Sequence, residues 1–346
     1  MRKTGSWSIW ACICEWQFQT QYALIDDIGK TPFPGISMSY LKEKDQSHVC
    51  CGPMQIVILS KKYYNIGNNI TQNLINVLLY ELTYCDNMVK LIFLGSGGGR
   101  FMTITQKRYT GGFFLEDGVK VHVDPGPGAL LKSWENGLDP RELDALLVSH
   151  SHIDHCNDAN IMIEAMTNGC TSKRGTIVAS DSVINSDSRI ILERYFDALE
   201  RIELLKPGEK TLIEDLEVTG TPTMHSDPST IGFRFETSAG VVSYISDTQF
   251  FPDLQKWHEG ARVLILSITR PAKNRIPYHL NTNNAIRLVR DINPEIMVMT
   301  HIGMKLHMQG AEADLKEIED ATGVKTMIAS CGRKLLIDKS SITKSL

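Results

Sequence analysis

The chain has 346 residues, enough for one large or two ordinary domains. Its 42% apolar and 22% charged content is that of a globular protein, and no apolar run approaches the roughly 20 residues a membrane span needs. A net charge of −4 excludes a protein that coats nucleic acid by bulk charge.

Residues 1–87 read differently from the rest. Three of the five tryptophans fall in the first sixteen residues, and the apolar positions keep no helical or strand period. The helix-like piece here is Ile70 to Leu82. Arg2 and Lys3 precede a short apolar patch, but Glu15 interrupts it and no clear cleavage site follows, which argues against a secretory signal. Five of the eight cysteines lie here, and the remaining Cys156, Cys170 and Cys331 are too far apart for a disulfide framework, so a reducing cytoplasm is expected. The segment is expected to be a poorly structured extension to a domain spanning 88–346. Met88 is then a candidate biological start, with a genuine accessory segment as the rival account.

From Met88 the elements alternate. Strands are expected at 89–94, 112–116, 119–124, 145–148, 176–180, 216–221, 231–237, 241–246, 262–267, 295–300 and near 334–338, and helices at 127–136, 157–168, 281–291 and 310–321. Asn157 or Asp158 caps the second helix and Gly169 stops it. Many strands with few, spaced helices predict an α+β fold of two packed sheets flanked by helices. Gly95-Ser96-Gly97-Gly98-Gly99-Arg100 either brings backbone amides to an anion or is a plain connector. Gly111-Gly112 reads as a turn. Asp124, before Pro125, ends a strand.

His150-Ser151-His152-Ile153-Asp154-His155 follows the apolar run Ala145–Val148. Imidazole and carboxylate suit zinc. His150 and His152 alternate and so point the same way in extended backbone, whereas Asp154 and His155 come after the chain turns and can serve a second ion. The spacing predicts a two-metal site. His225, Asp247 and His301 each follow an apolar strand and supply further candidates. Cys156 adjoins the cluster but reads as a small packed residue.

This order of motifs, from Met88 to about Asp338, resembles the metallo-β-lactamase fold hydrolases. The resemblance implies a four-layer αββα sandwich. It also implies that His150, His152 and His225 hold one metal, that Asp154, His155 and His301 hold the other, and that Asp247 bridges them. Asp124 then supports the site from behind, accepting from a metal-bound histidine or holding the adjoining loop. The implied cofactors are two divalent ions, zinc first, with manganese or iron as alternatives. His279 stands 22 residues before His301, where it resembles the extra histidine of the tRNase Z and cyclic phosphodiesterase group. His279 and Asp154 are the residues expected to take part in catalysis.

A dinuclear centre lowers the pKa of a water and polarises an electrophile, which is hydrolase chemistry. His279 favours phosphodiesters, with lactones or thioesters as the alternative. Only 21 residues separate His225 from Asp247, and two expected strands fill them, so the inserted arm with which tRNase Z clamps tRNA has no place there. The expected substrate is a small-molecule or short, single-stranded nucleic-acid phosphodiester. No membrane partner is expected, and a homo-oligomer is compatible with the sequence.

Overall fold

The computed structural model describes residues 9–13, 55–59, 88–187 and 189–345. The chain divides into two compact units, Met1–Cys85 and Asp86–Leu346. In the first, the described backbone is an antiparallel pair, β1 (Ile9–Ile13) and β2 (Gln55–Leu59). The helix expected over Ile70 to Leu82 lies outside the described residues.

The second unit carries two eight-stranded sheets. In the first sheet β3 (Val89–Gly95), β4 (Thr110–Glu116), β5 (Lys120–Val123), β6 (Ala145–Val148), β7 (Thr176–Ala179) and β8 (Arg201–Leu204) follow in order. β17 (Lys334–Ile337) and β18 (Ile342–Ser345) extend it beyond β3. Pairing is antiparallel up to β5 and parallel from β5 to β8. The second sheet runs from β9 (Lys210–Ile213) through β10 (Leu216–Pro222), β11 (Ile231–Thr237) and β12 (Gly240–Ile245) to β13 (Ala261–Arg270). β15 (Ile296–Thr300) and β16 (Lys325–Ile328) continue it, and the short β14 (Leu280–Asn281) pairs with β13.

Period-two burial on both faces places this sheet pair in the middle of a sandwich. Val89, Leu91 and Phe93 of β3 join Phe233 and Phe235 of β11 and Val263 and Ile265 of β13 in one core between the sheets. The alternate residues Ile92 and Leu94 pack outward beneath α2 (Ala129–Glu135) and α4 (Ala159–Met166) with Met162, Ile163 and Met166. On the other side Leu264, Leu266 and Ile268 meet Leu288 and Val289 of α6 (Thr282–Ile292) and Ile318 of α8 (Ala311–Thr322). The result is the four-layer αββα architecture.

The expected strands and helices from Met88 onward are present, with ends shifted by a few residues. Elements with weak periodicity escaped the sequence reading: α1 (Arg100–Thr105), α5 (Asp181–Ile184), α7 (Met304–Gln309), β8, β9, β14, β16 and β18. Gly111-Gly112 is not a turn but part of β4. Gly112 has φ 69°, and a Cβ there would lie 2.0 Å from the Val123 carbonyl oxygen on the neighbouring strand, so glycine is needed for the close approach of β4 and β5.

Candidate metal centre

All the candidate ligands emerge where strands end. β6 is wholly buried, and the chain leaves it through Ser149 and His150 into α3 (Ile153–Cys156), a single turn capped by His152 that carries Asp154 and His155 on the same face of the site. From the second sheet, His225 follows β10, Asp247 follows β12, His279 precedes β14 and His301 follows β15. The ligand-type atoms of His150, His152, His225 and Asp247 all lie within 4.8 Å of one another, as do those of Asp154, His155 and His301. A third such group is Asp247, His279 and His301.

Asp247 sits at the centre. Its Oδ2 is 3.1 Å from His301 Nε2, 3.4 Å from His279 Nε2, 3.7 Å from His155 Nε2 and 3.8 Å from His225 Nε2. Asp154 Oδ2 lies 3.1 Å from His301 Nε2.

The rings are aimed by their outer nitrogens. Asp124 is the main anchor: Oδ1 accepts from the Ser149 amide at 2.7 Å, and Oδ2 accepts from Ser149 Oγ, His155 Nδ1 and the Tyr244 hydroxyl at 2.8, 2.9 and 2.9 Å. Because Ser149 Oγ gives its proton to Asp124, it accepts from His150 Nδ1 at 2.9 Å, leaving a lone pair on His150 Nε2. His225 Nδ1 donates to the Tyr278 carbonyl at 3.1 Å, and His301 Nδ1 pairs with Thr269 Oγ1 at 2.9 Å.

Asp227, which the sequence did not single out, accepts from the Ser151 amide and hydroxyl at 3.2 and 2.9 Å and from Ser229, tying the His225 turn to the His150–His155 loop. Gln249 was also missed. Its amide donates to the Met224 carbonyl at 3.0 Å and its Oε1 accepts from the Tyr278 amide at 3.2 Å, so it clasps the two turns that carry His225 and His279. Their signal is only their spacing, two residues beyond His225 and Asp247.

The glycine run after β3 does bring a backbone amide to an anion, and the anion is Asp154: the Gly99 N–H donates to Oδ2 at 2.6 Å. A Cβ on Gly98 would stand 2.1 Å from the His301 ring, so only glycine fits. Arg100 is exposed at the start of α1, and His307 accepts from Arg108 Nε at 3.2 Å, apart from the ligand group. Cys156 ends α3, where burial and nearby carboxylates push its thiol up to about 12, so it stays protonated. His122 and His258 are fully buried and bonded to the Gly111 carbonyl and Ser243 Oγ, away from the centre.

The electrostatics fit a divalent cation. Burial holds His150 well below its ordinary value and His225 down at about 4, so both keep lone pairs. Burial also opposes charge on His155 and His301, yet Asp247 and Asp154 override it, raising His155 well above its ordinary value and His301 to about 9. Both carboxylates are held below theirs against the cost of burial. Such a cluster of carboxylates draws positive charge, and a cation competes with protons for it. Three buried atoms lack a hydrogen-bond partner here: His150 Nε2, His155 Nε2 and Asp247 Oδ1. Unpaired buried polar atoms are costly, and a metal satisfies all three.

Of the nine described non-glycine residues with positive φ, three are at this site. Asp124, Tyr278 and His301 have φ of 52°, 65° and 55°, a region that non-glycine residues enter when their surroundings compel it.

The family comparison agrees with this geometry. Residues 120–302, which span every candidate ligand, match the Beta-lactamase superfamily domain, and the chain belongs to this superfamily. It is a metal-dependent hydrolase of the metallo-β-lactamase fold. The uncharacterized protein MJ1374 of Methanocaldococcus jannaschii is 40% identical over 253 residues, covering 71% of this chain and 94% of that one. A Ribonuclease Z of Pyrobaculum aerophilum is 25% identical over 256 residues, covering 63% of this chain and 88% of its own. Among solved structures, the metallo-β-lactamase fold protein YhfI of Bacillus subtilis superposes with a TM-score of 0.62 at 20% identity, over 72% of this chain and 99% of the other. No helix among the described residues is long and apolar enough to cross a membrane.

Proposed function

We propose that the chain hydrolyses phosphodiesters of small or single-stranded nucleotide type with two divalent ions, zinc first. His150, His152 and His225 would hold one ion and Asp154, His155 and His301 the other, with Asp247 common to both. When bound, such ions supply Lewis-acid polarisation of the phosphoryl oxygens and a water of lowered pKa.

The observation that carries the phosphodiester reading is His279. It lies against the ligand group, its ring stacked 5.8 Å from His301 and perpendicular to His225, with 19% of its side chain open to solvent. Nδ1 donates to the Pro277 carbonyl at 3.0 Å, which fixes the ring and turns Nε2 toward Asp247 and the site. In its imidazolium form, with Nε2 protonated as well as Nδ1, the ring so placed can give the Nε2 proton to a departing alkoxide and return to neutral imidazole, the step a phosphodiester needs most. The likeness to a Ribonuclease Z supports the same reading. The β11–β12 hairpin occupies the interval between His225 and Asp247, which favours a compact substrate over a folded RNA.

The test is His279→Ala. Zinc content should be retained while phosphodiester turnover falls by about 10²–10⁴, the range of a general acid. The fall should shrink for nitrophenyl esters, whose leaving groups need little protonation. Equal losses on good and poor leaving groups would remove the acid role, and loss of zinc would make His279 a ligand. Preferential turnover of lactones or thioesters in the same assay would overturn the substrate class.

A further inference from the structure

Tyr278 is not used by the chemistry above, yet it is held in strain beside it. Its φ of 65° persists only because the surroundings impose it. The amide is tied to Gln249 Oε1, the carbonyl to His225 Nδ1, and the next residue is His279. Tyr278 is 42% exposed, and its ring stands perpendicular to His225 at 6.3 Å between centroids. An aromatic side chain is thereby fixed at the mouth of the site, with no partner for its hydroxyl among the described residues.

The loop leading to it is basic. Lys273 and Arg275 are exposed, and neither has an ion-pair partner among the described residues. Lys305 Nζ donates to Asn274 Oδ1, which brings a third cation onto the loop. From Ala261 to Arg290 the chain itself carries no carboxylate, although its net charge is −4, so this stretch is basic against the overall balance.

Cations interleaved with an exposed aromatic ring match a single-stranded nucleotide, whose phosphates meet the cations and whose base stacks on the ring. Resting on the phosphodiesterase reading, we propose that Tyr278 is the platform for the base flanking the scissile phosphodiester, and that Lys273 and Arg275 receive the next phosphate. A phosphodiester without a base would leave Tyr278 unused and engage the cations alone.

The test compares a 5′-phosphorylated dinucleotide with its analogue carrying an abasic sugar, using the full zinc-loaded chain, with equilibrium binding and turnover read separately. The base should improve both binding and kcat/KM by about tenfold or more, the range of one stacked base. Tyr278→Phe should keep this preference and Tyr278→Ala should abolish it, with zinc content unchanged. Lys273→Glu combined with Arg275→Glu should flatten the salt dependence of dinucleotide binding. Turnover without preference for the base, or a preference that survives Tyr278→Ala, overturns the platform and leaves the phosphodiesterase reading standing. Base-selective binding without turnover overturns the phosphodiesterase reading and leaves the platform. Neither binding nor turnover overturns both.

Discussion

The first sheet sends four candidate ligands from one loop, His150 to His155, whereas the second sends His225, Asp247, His279 and His301 from four separate loops. In the first case a single turn of helix and one buried carboxylate, Asp124, set the geometry locally. In the second, the ligands depend on strand alignment, with His301 held by Thr269 of β13 and the turns of His225 and His279 joined through Tyr278 and Gln249. The compact half is therefore vulnerable at one residue, while the dispersed half spreads its vulnerability over several.

Asp124→Ala should produce the largest effect. It strips an acceptor from four donors in a buried network, and its cost should be about 3–5 kcal/mol of stability in a denaturant titration, by analogy with the breaking of a buried charged pair. Zinc affinity should fall as well, because His155 and the Ser149–His150 segment lose their aim. A loss under about 1 kcal/mol would show that the first loop is held by its backbone alone and not by this anchor.

The next largest effect separates structural histidines from site histidines. Burial holds His258, on the second sheet's side, at about 3. The unfolded chain takes up this proton below about 6.5 and the folded one does not until about 3, so stability is full above 6.5 and declines as pH falls through that window. His258→Gln should flatten the decline between pH 6 and pH 4 by about 1.4 kcal/mol per pH unit relative to the unaltered chain. An unchanged slope would mean that the loss of stability in acid comes from other groups, either the buried His122, held at about 4, or the histidines of the candidate centre.

The smallest effect is expected at the clasp of the dispersed half. Gln249→Leu removes the Oε1 bond to the Tyr278 amide at a cost of about 1 kcal/mol. Its sharper mark should be on turnover, with zinc content retained and kcat lowered more than KM is raised, since His279 loses its placement. Gln249→Glu, which keeps the acceptor, should recover most of it. Equal behaviour of the two variants would remove the positioning role.

The same contrast decides what could be read from the sequence. Four ligand-type residues within six, after a buried strand, are visible because a metal site built from one turn must be contiguous. His225, Asp247 and His301 are each an ordinary polar residue at a strand end, and they became legible only as a set in family order. The sandwich was legible because β3 and β13 alternate between two cores, while β11 turns Phe233 and Phe235 inward and Arg234 and Glu236 outward. What escaped was set by three-dimensional partners: Asp227 and Gln249 act through loops far away in sequence, and Gly111-Gly112 reads as a turn until the close approach of β5 is seen. Short edge strands such as β8 and β9 carry too few residues to display a period.

Metal stoichiometry tests the central claim most directly. The full chain, stripped by chelator and reconstituted with zinc, should retain about two ions after exhaustive dialysis, as a two-metal hydrolytic site requires. Asp247→Ala, which removes the carboxylate shared by both ligand groups, should retain at most about one. A wild-type chain that holds no zinc, or an Asp247→Ala chain that holds two as tightly as the wild type, would contradict the account.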